Sequence, residues 1–229
     1  MPLIELDDLT KIYPLGHREV TALDGLTLAI EEGEFTVLAG PSGSGKTTAL
    51  NLIGGLDVPT RGRVAIAGRD LGKESPKALA DFRLHRIGFI FQSYNLIPVL
   101  TAAENAEFTL MLQGMAKAER RRRVTGLFAD LGIGGLEDRR PSDLSGGQQQ
   151  RVAIARAIAP EPAVVLADEP TANLDSHTSE ELLQLMRSLN EQRGTTFIFS
   201  SHDPQVIALA RRVVRLRDGR LESDERPQT

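Results

Sequence analysis

Cysteine is absent from this sequence of 229 residues, and aromatic residues make up only 4% of it. The absence of cysteine excludes disulfide bonds, thiol catalysis and cysteine-ligated metal sites. It is compatible with a reducing compartment. A chain of this length buries enough apolar surface to fold without covalent cross-links, as one domain or as one large domain with an inserted subdomain.

The sequence also lacks an excess of basic residues. Its 27 lysine and arginine residues stand against 31 aspartate and glutamate residues, which gives a formal net charge of −4. Binding to nucleic acid through bulk electrostatics is therefore disfavoured. One basic run, residues 117–123, is predicted to lie on a helix. Consecutive arginines spread around a helix and do not form one basic stripe, so we interpret the run as a solvated helix surface. Anionic lipid is an alternative partner for it.

Long apolar stretches are missing as well. No segment approaches the roughly 20 consecutive apolar residues that a membrane-spanning helix requires. Residues 1–13 contain acidic side chains and no long apolar run, so they do not resemble a signal peptide. We therefore expect a chain that is soluble on its own and that associates with a membrane only through a partner.

The order of the predicted elements indicates an α/β fold. Apolar segments typical of buried strands alternate with helices, which predicts a mostly parallel sheet. Residues 3–13 and 19–30 show broken alternation and predict an antiparallel β flank at the N-terminus. Residues 97–141 are mostly helical and interrupt the strand pattern. We expect a single domain over residues 1–229, with an inserted α-helical subdomain at about 97–160.

A glycine-rich loop follows the apolar segment 35–40. Residues 40–47, GPSGSGKT, fit the phosphate-binding pattern G-x-x-x-x-G-K-[ST] and lie between a predicted strand and a predicted helix. Gly43 and Gly45 let backbone N–H groups point at phosphate oxygens. Lys46 is predicted to reach the β- and γ-phosphates, and the Thr47 hydroxyl to ligate Mg²⁺. The predicted phosphate-binding residues are Gly40, Pro41, Ser42, Gly43, Ser44, Gly45, Lys46, Thr47 and Thr48.

Two acidic residues follow a second buried strand, in the segment VVLADEP. In open α/β sheets the carboxyl ends of strands line the ligand crevice. Asp168 suits a Mg²⁺ ion, and Glu169 lies where it can act as general base on an attacking water. A solvated acidic pair at the end of a strand is the alternative, and the phosphate loop in the same chain favours the catalytic interpretation.

Three further polar residues have weaker signals. His202 ends the predicted strand TTFIFSSHD, from which an imidazole can bond a γ-phosphate oxygen and orient Glu169. Gln92 ends the predicted strand IGFIFQ, where its amide oxygen can ligate Mg²⁺ or hold the water. Tyr13 can stack on adenine, although a partly exposed residue of the sheet is at least as good an interpretation. A strand-end polar residue is the simpler interpretation of Gln92.

The segment LSGGQ, residues 144–148, predicts a second anion site. Ser145 is expected to cap a helix that starts at Gly146, and the start of a helix offers free N–H groups and partial positive charge. A helical insertion separates this end from the phosphate loop, so a second copy of the chain is better placed to supply it. Two copies related by a two-fold axis would then enclose two nucleotides. The alternative is a plain capped helix.

Taken together, these motifs resemble those of the ATP-binding subunits of ABC transporters over essentially the whole chain. GPSGSGKT resembles the Walker A loop, VVLADE the Walker B strand and LSGGQ the ABC signature. The resemblance implies ATP and Mg²⁺ as cofactors, a homodimer, and roles in hydrolysis for Glu169 and His202. It also implies that Gln92 is the Q-loop residue and a Mg²⁺ ligand, beside Thr47 and Asp168. The residues implied to bind nucleotide outside the Walker A loop are Tyr13, Gln92, Ser145, Gly147 and Gln148.

Several segments are similar to the lipoprotein-release and macrolide-efflux branch of that family, among them LSGGQQQRVAIARA and LADEPTANLDS. This similarity implies membrane subunits with few transmembrane helices as partners and a location on the cytoplasmic face of the inner membrane. Because the sequence ends after the ATPase domain, we expect the permease to be a separate polypeptide. The branch usually has threonine where this chain has Ser201, which keeps a hydroxyl.

Other classes fit the sequence less well. A small-molecule kinase has no use for LSGGQ, and DNA-repair or translation ABC proteins typically need two cassettes or long coiled-coil insertions. A regulatory ABC ATPase, for example one that signals in cell division, stays an alternative.

Overall fold

The computed structural model describes residues 2–16 and 18–227, so Met1, His17, Gln228 and Thr229 of the predicted domain lie outside the described residues. Within these ranges, ten strands in two sheets combine with seven α-helices. The strands are β1 (Ile4–Leu15), β2 (Arg18–Ile30), β3 (Phe35–Ala39), β4 (Arg61–Ile66), β5 (Arg69–Asp70), β6 (Ile87–Ile90), β7 (Val164–Asp168), β8 (Thr196–Ser201), β9 (Arg212–Arg217) and β10 (Arg220–Glu225). The helices are α1 (Lys46–Ile53), α2 (Pro76–Arg86), α3 (Ala102–Leu112), α4 (Lys117–Asp130), α5 (Gly146–Ile158), α6 (Ser176–Arg193) and α7 (Pro204–Leu209).

The first sheet is antiparallel, with the strand order β2-β1-β4-β5. β1 and β2 form a long hairpin in which Tyr13 pairs with Val20. The apolar residues on its inner face are buried, whereas the end of the hairpin is exposed. This sheet confirms the antiparallel flank that the broken alternation predicts.

The second sheet has the strand order β10-β9-β3-β8-β7-β6, and all its pairings except β9 with β10 are parallel. Every residue of β3 and β8 is buried, as expected for strands covered on both faces. The mostly parallel α/β sheet is therefore confirmed. β8 lies between β3 and β7, so the carboxyl ends of these three strands meet at one edge of the sheet.

The helices of segment 97–160 pack directly on this sheet. α3 contacts both α4 and α5, and their apolar side chains join the same buried cluster as residues of β3, β7 and β8. Phe35 and Phe199 lie inside that cluster, with ring centroids 4.6 Å apart. A second buried cluster fills the space between the two sheets around α1. The helical segment thus shares a continuous core with the strands that carry the candidate site.

A capping box begins α3. The Thr101 hydroxyl accepts a hydrogen bond from the Glu104 N–H at 3.2 Å, and the Glu104 carboxylate accepts one from the Thr101 N–H at 2.9 Å. The helix ends at Leu112, and the two reciprocal hydrogen bonds satisfy N–H groups at its start.

The basic run of α4 corrects a prediction. Arg120 lies 3.4 Å from the Glu107 carboxylate of α3, and the Arg123 guanidinium donates to the Ala159 carbonyl at 3.0 Å. Arg121 binds Asp138 at 2.9 Å, while Arg122 stays exposed. The prediction of a solvated face is wrong for Arg120, because only 15% of its side chain is exposed and it reaches the Glu107 carboxylate. The Arg121 side chain is 42% exposed and Arg122 is exposed, as the prediction expects. Arg120 and Arg123 thus join α4 to neighbouring elements.

Among the described residues, none of the helices combines the length and the apolar character that a membrane crossing requires.

Candidate active site

The loop between β3 and α1 has the shape of an anion cradle. Gly45 precedes α1 with a φ of 99°, and a Cβ there would lie 2.4 Å from the Ala22 carbonyl oxygen. Gly43 has a φ of 80°, and apart from its two neighbours in the chain no described residue comes within 4 Å of the position its Cβ would take. Glycine at both positions keeps the backbone N–H groups open toward the start of α1, which is the geometry that binds phosphate.

Donors for an anion are concentrated at this loop. The buried Lys46 ammonium donates to the Gly40 and Pro41 carbonyls at 2.8 and 2.9 Å, so the side chain folds back over the loop. The Ser44 hydroxyl is buried and, within the described part of the chain, has no hydrogen-bond partner. A buried cation and an unpaired hydroxyl beside open N–H groups fit a triphosphate.

Oxygen ligands for a divalent cation adjoin the cradle. Asp168 is the last residue of β7, and its Oδ1 accepts a hydrogen bond from the Thr47 hydroxyl at 3.1 Å. A hydroxyl and a carboxylate beside a phosphate site are the donor set that Mg²⁺ prefers. The residues present therefore fit this metal.

Glu169 follows Asp168 in a left-handed backbone conformation, with a φ of 45°. Its N–H donates to the Ser200 carbonyl at 2.9 Å, which fixes the residue against β8. Its Oε1 lies 2.8 Å from His202 Nδ1, and its Oε2 accepts a hydrogen bond from the Ser201 hydroxyl at 3.2 Å. β8 ends at Ser201, so His202 does not end the strand, as the sequence predicts, but lies one residue beyond it. Both carboxylate oxygens are thus held by consecutive residues.

A cleft of about 560 Å³ brings most of the predicted residues together. The predicted residues that line it are Tyr13, Ser42, Gly43, Gly45, Lys46, Thr47, Thr48, Gln92, Glu169 and His202. Gly40, Pro41 and Ser44 belong to the same loop but are not part of the lining. Sequence reasoning missed the lining residues Val20, Thr21, Ala22 and Ala172. In the structure Val20 pairs with Tyr13 across the hairpin, a register that the sequence pattern does not indicate.

The signature residues are not brought to this cleft. Ser145 and Gln148 form a reciprocal capping box at the start of α5, in which the Gln148 side chain accepts from the Ser145 N–H at 2.9 Å. A Cβ on Gly147 would lie 2.6 Å from Thr178 Cγ2 of α6. Ser145, Gly147 and Gln148 are absent from the described lining of the cleft. Within one chain, the positive end of α5 therefore does not face the phosphate loop's cleft.

The position of Gln92 corrects a prediction. β6 ends at Ile90, so Gln92 does not end the strand but lies in a turn closed by the Tyr94 N–H and the Phe91 carbonyl at 3.1 Å. The Gln92 carbonyl accepts a hydrogen bond from the Asn173 amide at 2.9 Å. Tyr94 and Asn95 both have left-handed backbones, with φ values of 58° and 51°. This turn, residues 91–95, is what interrupts the strand.

Arg156 of α5 holds this turn, and sequence reasoning missed it. Its guanidinium donates to the Asn95 carbonyl and, at 2.8 Å, to the Tyr94 carbonyl. Burial lowers the pKa of Arg156 from its usual value. The available signal was a single arginine within the apolar helix segment AIARAIA. A partly buried charge that binds two carbonyls stabilises an otherwise costly backbone conformation.

A sequence model described as "ABC transporter" matches residues 23–172, well over half of the chain. The chain belongs to the ABC transporter family. It is 50% identical over 223 residues to a macrolide export ATP-binding/permease protein MacB of Hyphomonas neptunium, covering 97% of this chain and 34% of the relative. It is 48% identical to an uncharacterized ABC transporter ATP-binding protein of Thermotoga maritima, covering 98% and 95% of the two chains. The chain thus spans about a third of the length of the MacB relative.

Solved ABC structures share this fold. A dimeric post-hydrolysis state of the ATP-binding cassette MJ0796, bound to ADP and Pi, superposes with a TM-score of 0.91 and is 43% identical. A second dimeric MJ0796 structure gives a TM-score of 0.92, and each comparison covers 99% of both chains. As a member of this family, the chain is an ATPase, and one of the MJ0796 structures contains ADP and Pi.

Proposed function

We propose that this ABC chain is the ATP-hydrolysing subunit of a membrane complex and that it works as a homodimer. ATP binding closes two copies on each other, and hydrolysis lets them open. The observation that carries the proposal is the separation of two anion-binding ends in one chain. The phosphate loop lines the cleft, whereas the start of α5 does not. A two-fold arrangement joins the loop of one copy to the α5 end of the other.

Further features support the homodimer. The Ser145 cap uses one N–H of α5, and the remaining N–H groups of the first turn keep a partial positive charge. Such an end stabilises the γ-phosphate held by the partner copy. Both MJ0796 structures that resemble this chain are described as dimeric.

Different residues of the cleft bind the phosphates, the adenine and the Mg²⁺ ion. Lys46 and the N–H groups of the loop bind the β- and γ-phosphates, and the Tyr13 ring stacks on the adenine. Thr47, Asp168 and Gln92 hold Mg²⁺. When bound, this ion neutralises the charge of the phosphate oxygens. Ser145, Gly147 and Gln148 contribute the end of α5 to the partner's nucleotide.

The reaction requires a base and a proton route. Glu169 orients a water for in-line attack on the γ-phosphorus and accepts its proton. His202 contacts Glu169 Oε1 and bonds the γ-phosphate, so it fixes the position of the base relative to the γ-phosphate. Loss of the γ-phosphate removes the anion that joins the two copies.

Ser201→Ala is expected to lower kcat about tenfold and to leave the KM for ATP nearly unchanged, because a hydrogen bond to a charged carboxylate is lost while the phosphate contacts stay. Phosphate release at varied ATP concentration measures both constants. Ser201→Thr is the matched control, since it keeps the hydroxyl and should retain the turnover rate. Equal kcat values for the Ala and Thr variants would show that this hydroxyl does not position Glu169.

Coupling to a membrane partner is proposed to run through a groove of about 470 Å³ next to the Gln92 turn. Its apolar lining includes Leu56, Phe91 and Phe108, and Arg156 contributes to it from α5. Arg156 also binds the carbonyls of the turn, so a segment seated in the groove contacts the same element that carries Gln92 to the cleft. An apolar helix of a permease subunit fits this lining.

The permease is proposed to be a separate polypeptide, with this chain bound at the cytoplasmic face of the inner membrane. The MacB relative combines ATP-binding and permease parts in its name, whereas this chain spans 95% of the Thermotoga ATP-binding protein. The work performed is proposed to be efflux, lipoprotein release or a related mechanical transmission. Nucleic acid is not a proposed partner, because Arg120, Arg121 and Arg123 of the basic run are engaged within the chain.

Leu56→Glu is expected to reduce co-purification of the permease about tenfold, because it places a charge in an apolar interface. Leu56 is 48% exposed, so the fold should tolerate the change. A tagged chain captured from detergent-solubilised membranes, followed by identification of polytopic proteins, measures the effect. Leu221→Glu, at a residue of β10 that is 40% exposed, is the control. Equal capture by both variants would contradict the assignment of the groove.

A further inference from the structure

Tyr13 is fixed by two partners that sequence reasoning did not identify. Its hydroxyl donates to Asp57 Oδ2 at 2.7 Å. The Lys11 ammonium donates to Asp57 Oδ1 at 2.6 Å and lies 4.9 Å from the centroid of the Tyr13 ring. One carboxylate therefore holds both the end of the tyrosine and the cation that covers one face of its ring.

The loop that carries Asp57 is itself bonded to β1. The Lys11 ammonium donates to the Val58 carbonyl at 2.7 Å, and the Thr60 N–H donates to the Thr10 carbonyl at 2.8 Å. The Thr60 hydroxyl accepts from the Ile12 N–H at 3.0 Å. This loop follows α1, the helix that begins at Lys46. The network thus sets the distance between the tyrosine and the phosphate loop.

We propose that Lys11 and Asp57 are positioning residues for the nucleotide base, which hold the Tyr13 ring as a platform with a single free face in the cleft. Lys11 occupies one face by a cation–π contact, and the base stacks on the other. Asp57 prevents the ring from rotating out of the cleft. The inference rests on the proposed role of Tyr13 in binding ATP.

The charge states of the network agree with this role. Burial and the hydrogen bond to Asp57 raise the pKa of Tyr13, so the phenol keeps its proton and remains the donor. Burial alone would raise the pKa of Asp57, but hydrogen bonds from Lys11 and Tyr13 outweigh it and lower this pKa. Only 13% of the Lys11 side chain and 28% of the Asp57 side chain are exposed, which limits screening by solvent.

The test compares ATP with inorganic tripolyphosphate, which has the phosphates but no base. The chain contains no tryptophan and two tyrosines, so Tyr13 is the sole tyrosine in a Tyr94→Phe background. Its fluorescence reports stacking directly. Affinities for the two Mg²⁺ complexes are measured by calorimetry for the parent and for Asp57→Asn, Lys11→Met and Tyr13→Ala.

Tyr13→Ala is expected to weaken ATP binding about 5- to 150-fold, the range of one base–aromatic stack. Asp57→Asn and Lys11→Met are expected to weaken it about 3- to 10-fold, because the ring remains but is no longer held. Affinity for tripolyphosphate should change less than about twofold in all three, since no base is bound. ATP should quench Tyr13 fluorescence in the parent and quench it less in Asp57→Asn and Lys11→Met.

Glu74→Gln is the matched control. It disrupts the ion pair with Arg69, which has a 2.6 Å contact like that of Lys11 with Asp57 but is absent from the described lining of the cleft. It should alter neither affinity. The inference would be overturned if Asp57→Asn lost affinity for ATP and for tripolyphosphate to the same extent. It would also be overturned if the affinity for ATP stayed unchanged in Asp57→Asn and Lys11→Met. Failure of the unmodified chain to hydrolyse ATP would instead overturn the proposed function on which it rests.

Discussion

Glu169→Gln is expected to lower the rate of ATP turnover by about 10²- to 10⁴-fold, the range associated with loss of a general base. The amide keeps the size of the side chain but cannot accept the proton of the attacking water. Glu169 Oε1 lies near His202 and Oε2 near Ser201, so the variant side chain should stay in place. Phosphate release with saturating Mg²⁺–ATP measures the loss.

The same variant should accumulate as an ATP-bound dimer, because the γ-phosphate that joins the copies is no longer removed. Size-exclusion chromatography with and without ATP tests this. Glu181→Gln serves as control, since Glu181 is a surface carboxylate of α6 that pairs with Arg151 and is not part of the described lining of the cleft. Turnover by Glu169→Gln at the rate of the unmodified chain would refute the role of Glu169 as base.

The sequence was most informative where local chemistry decides structure. The glycine pattern at Gly43 and Gly45 predicts a backbone that only residues without a Cβ adopt readily, and both are in the left-handed region. Thr101 and Glu104 have the spacing of a capping box and lie at the start of α3, and Asp218–Gly219 is a typical hairpin turn and joins β9 to β10. The α/β class, the antiparallel flank and the edge that gathers Asp168 and His202 follow from strand order and periodicity.

Contacts between distant segments could not be predicted in this way. The Gln92 turn depends on left-handed Tyr94 and Asn95, whose conformation is held by Arg156, 61 or 62 residues further along the chain. Propensity rules assign such residues to strand or loop without indicating which partner fixes them. Nor does a run of arginines reveal which carboxylates and carbonyls lie within reach of α4. The role of Asp57 is hidden for the same reason, since 44 residues separate it from Tyr13.

Local backbone conformation and strand pairing together position Glu169 beside His202. Glu169 has a positive φ that is unfavourable for a residue with a side chain, and its N–H bonds to Ser200 on β8. The parallel pairing of β7 with β8 therefore places Glu169 beside Ser201 and His202. The buried strands β7 and β8 thus determine where Glu169 lies, and hydrogen bonds to residues of β8 stabilise its unfavourable backbone conformation.

Mixing two inactive variants is expected to restore ATP hydrolysis if each nucleotide is enclosed by two copies. Lys46→Ala removes the phosphate contact of its own loop, and Ser145→Arg blocks the start of α5 that serves the partner. Each variant alone should lose nearly all activity. In an equal mixture, half of the dimers are mixed and one of their two sites is intact, so about a quarter of the composite sites should be functional.

A second mixture makes the result specific. Lys46 and Glu169 line the same cleft of one chain, so Lys46→Ala mixed with Glu169→Gln leaves a defect in both sites of every mixed dimer. That mixture should stay inactive, while Lys46→Ala with Ser145→Arg regains activity in proportion to the mixed dimer formed. Phosphate release measured at a series of mixing ratios should then peak at equal amounts of the two chains. Full activity of Ser145→Arg alone, undiminished on dilution, would mean that one chain encloses and hydrolyses its own nucleotide, because the α5 end would then contribute nothing across the dimer.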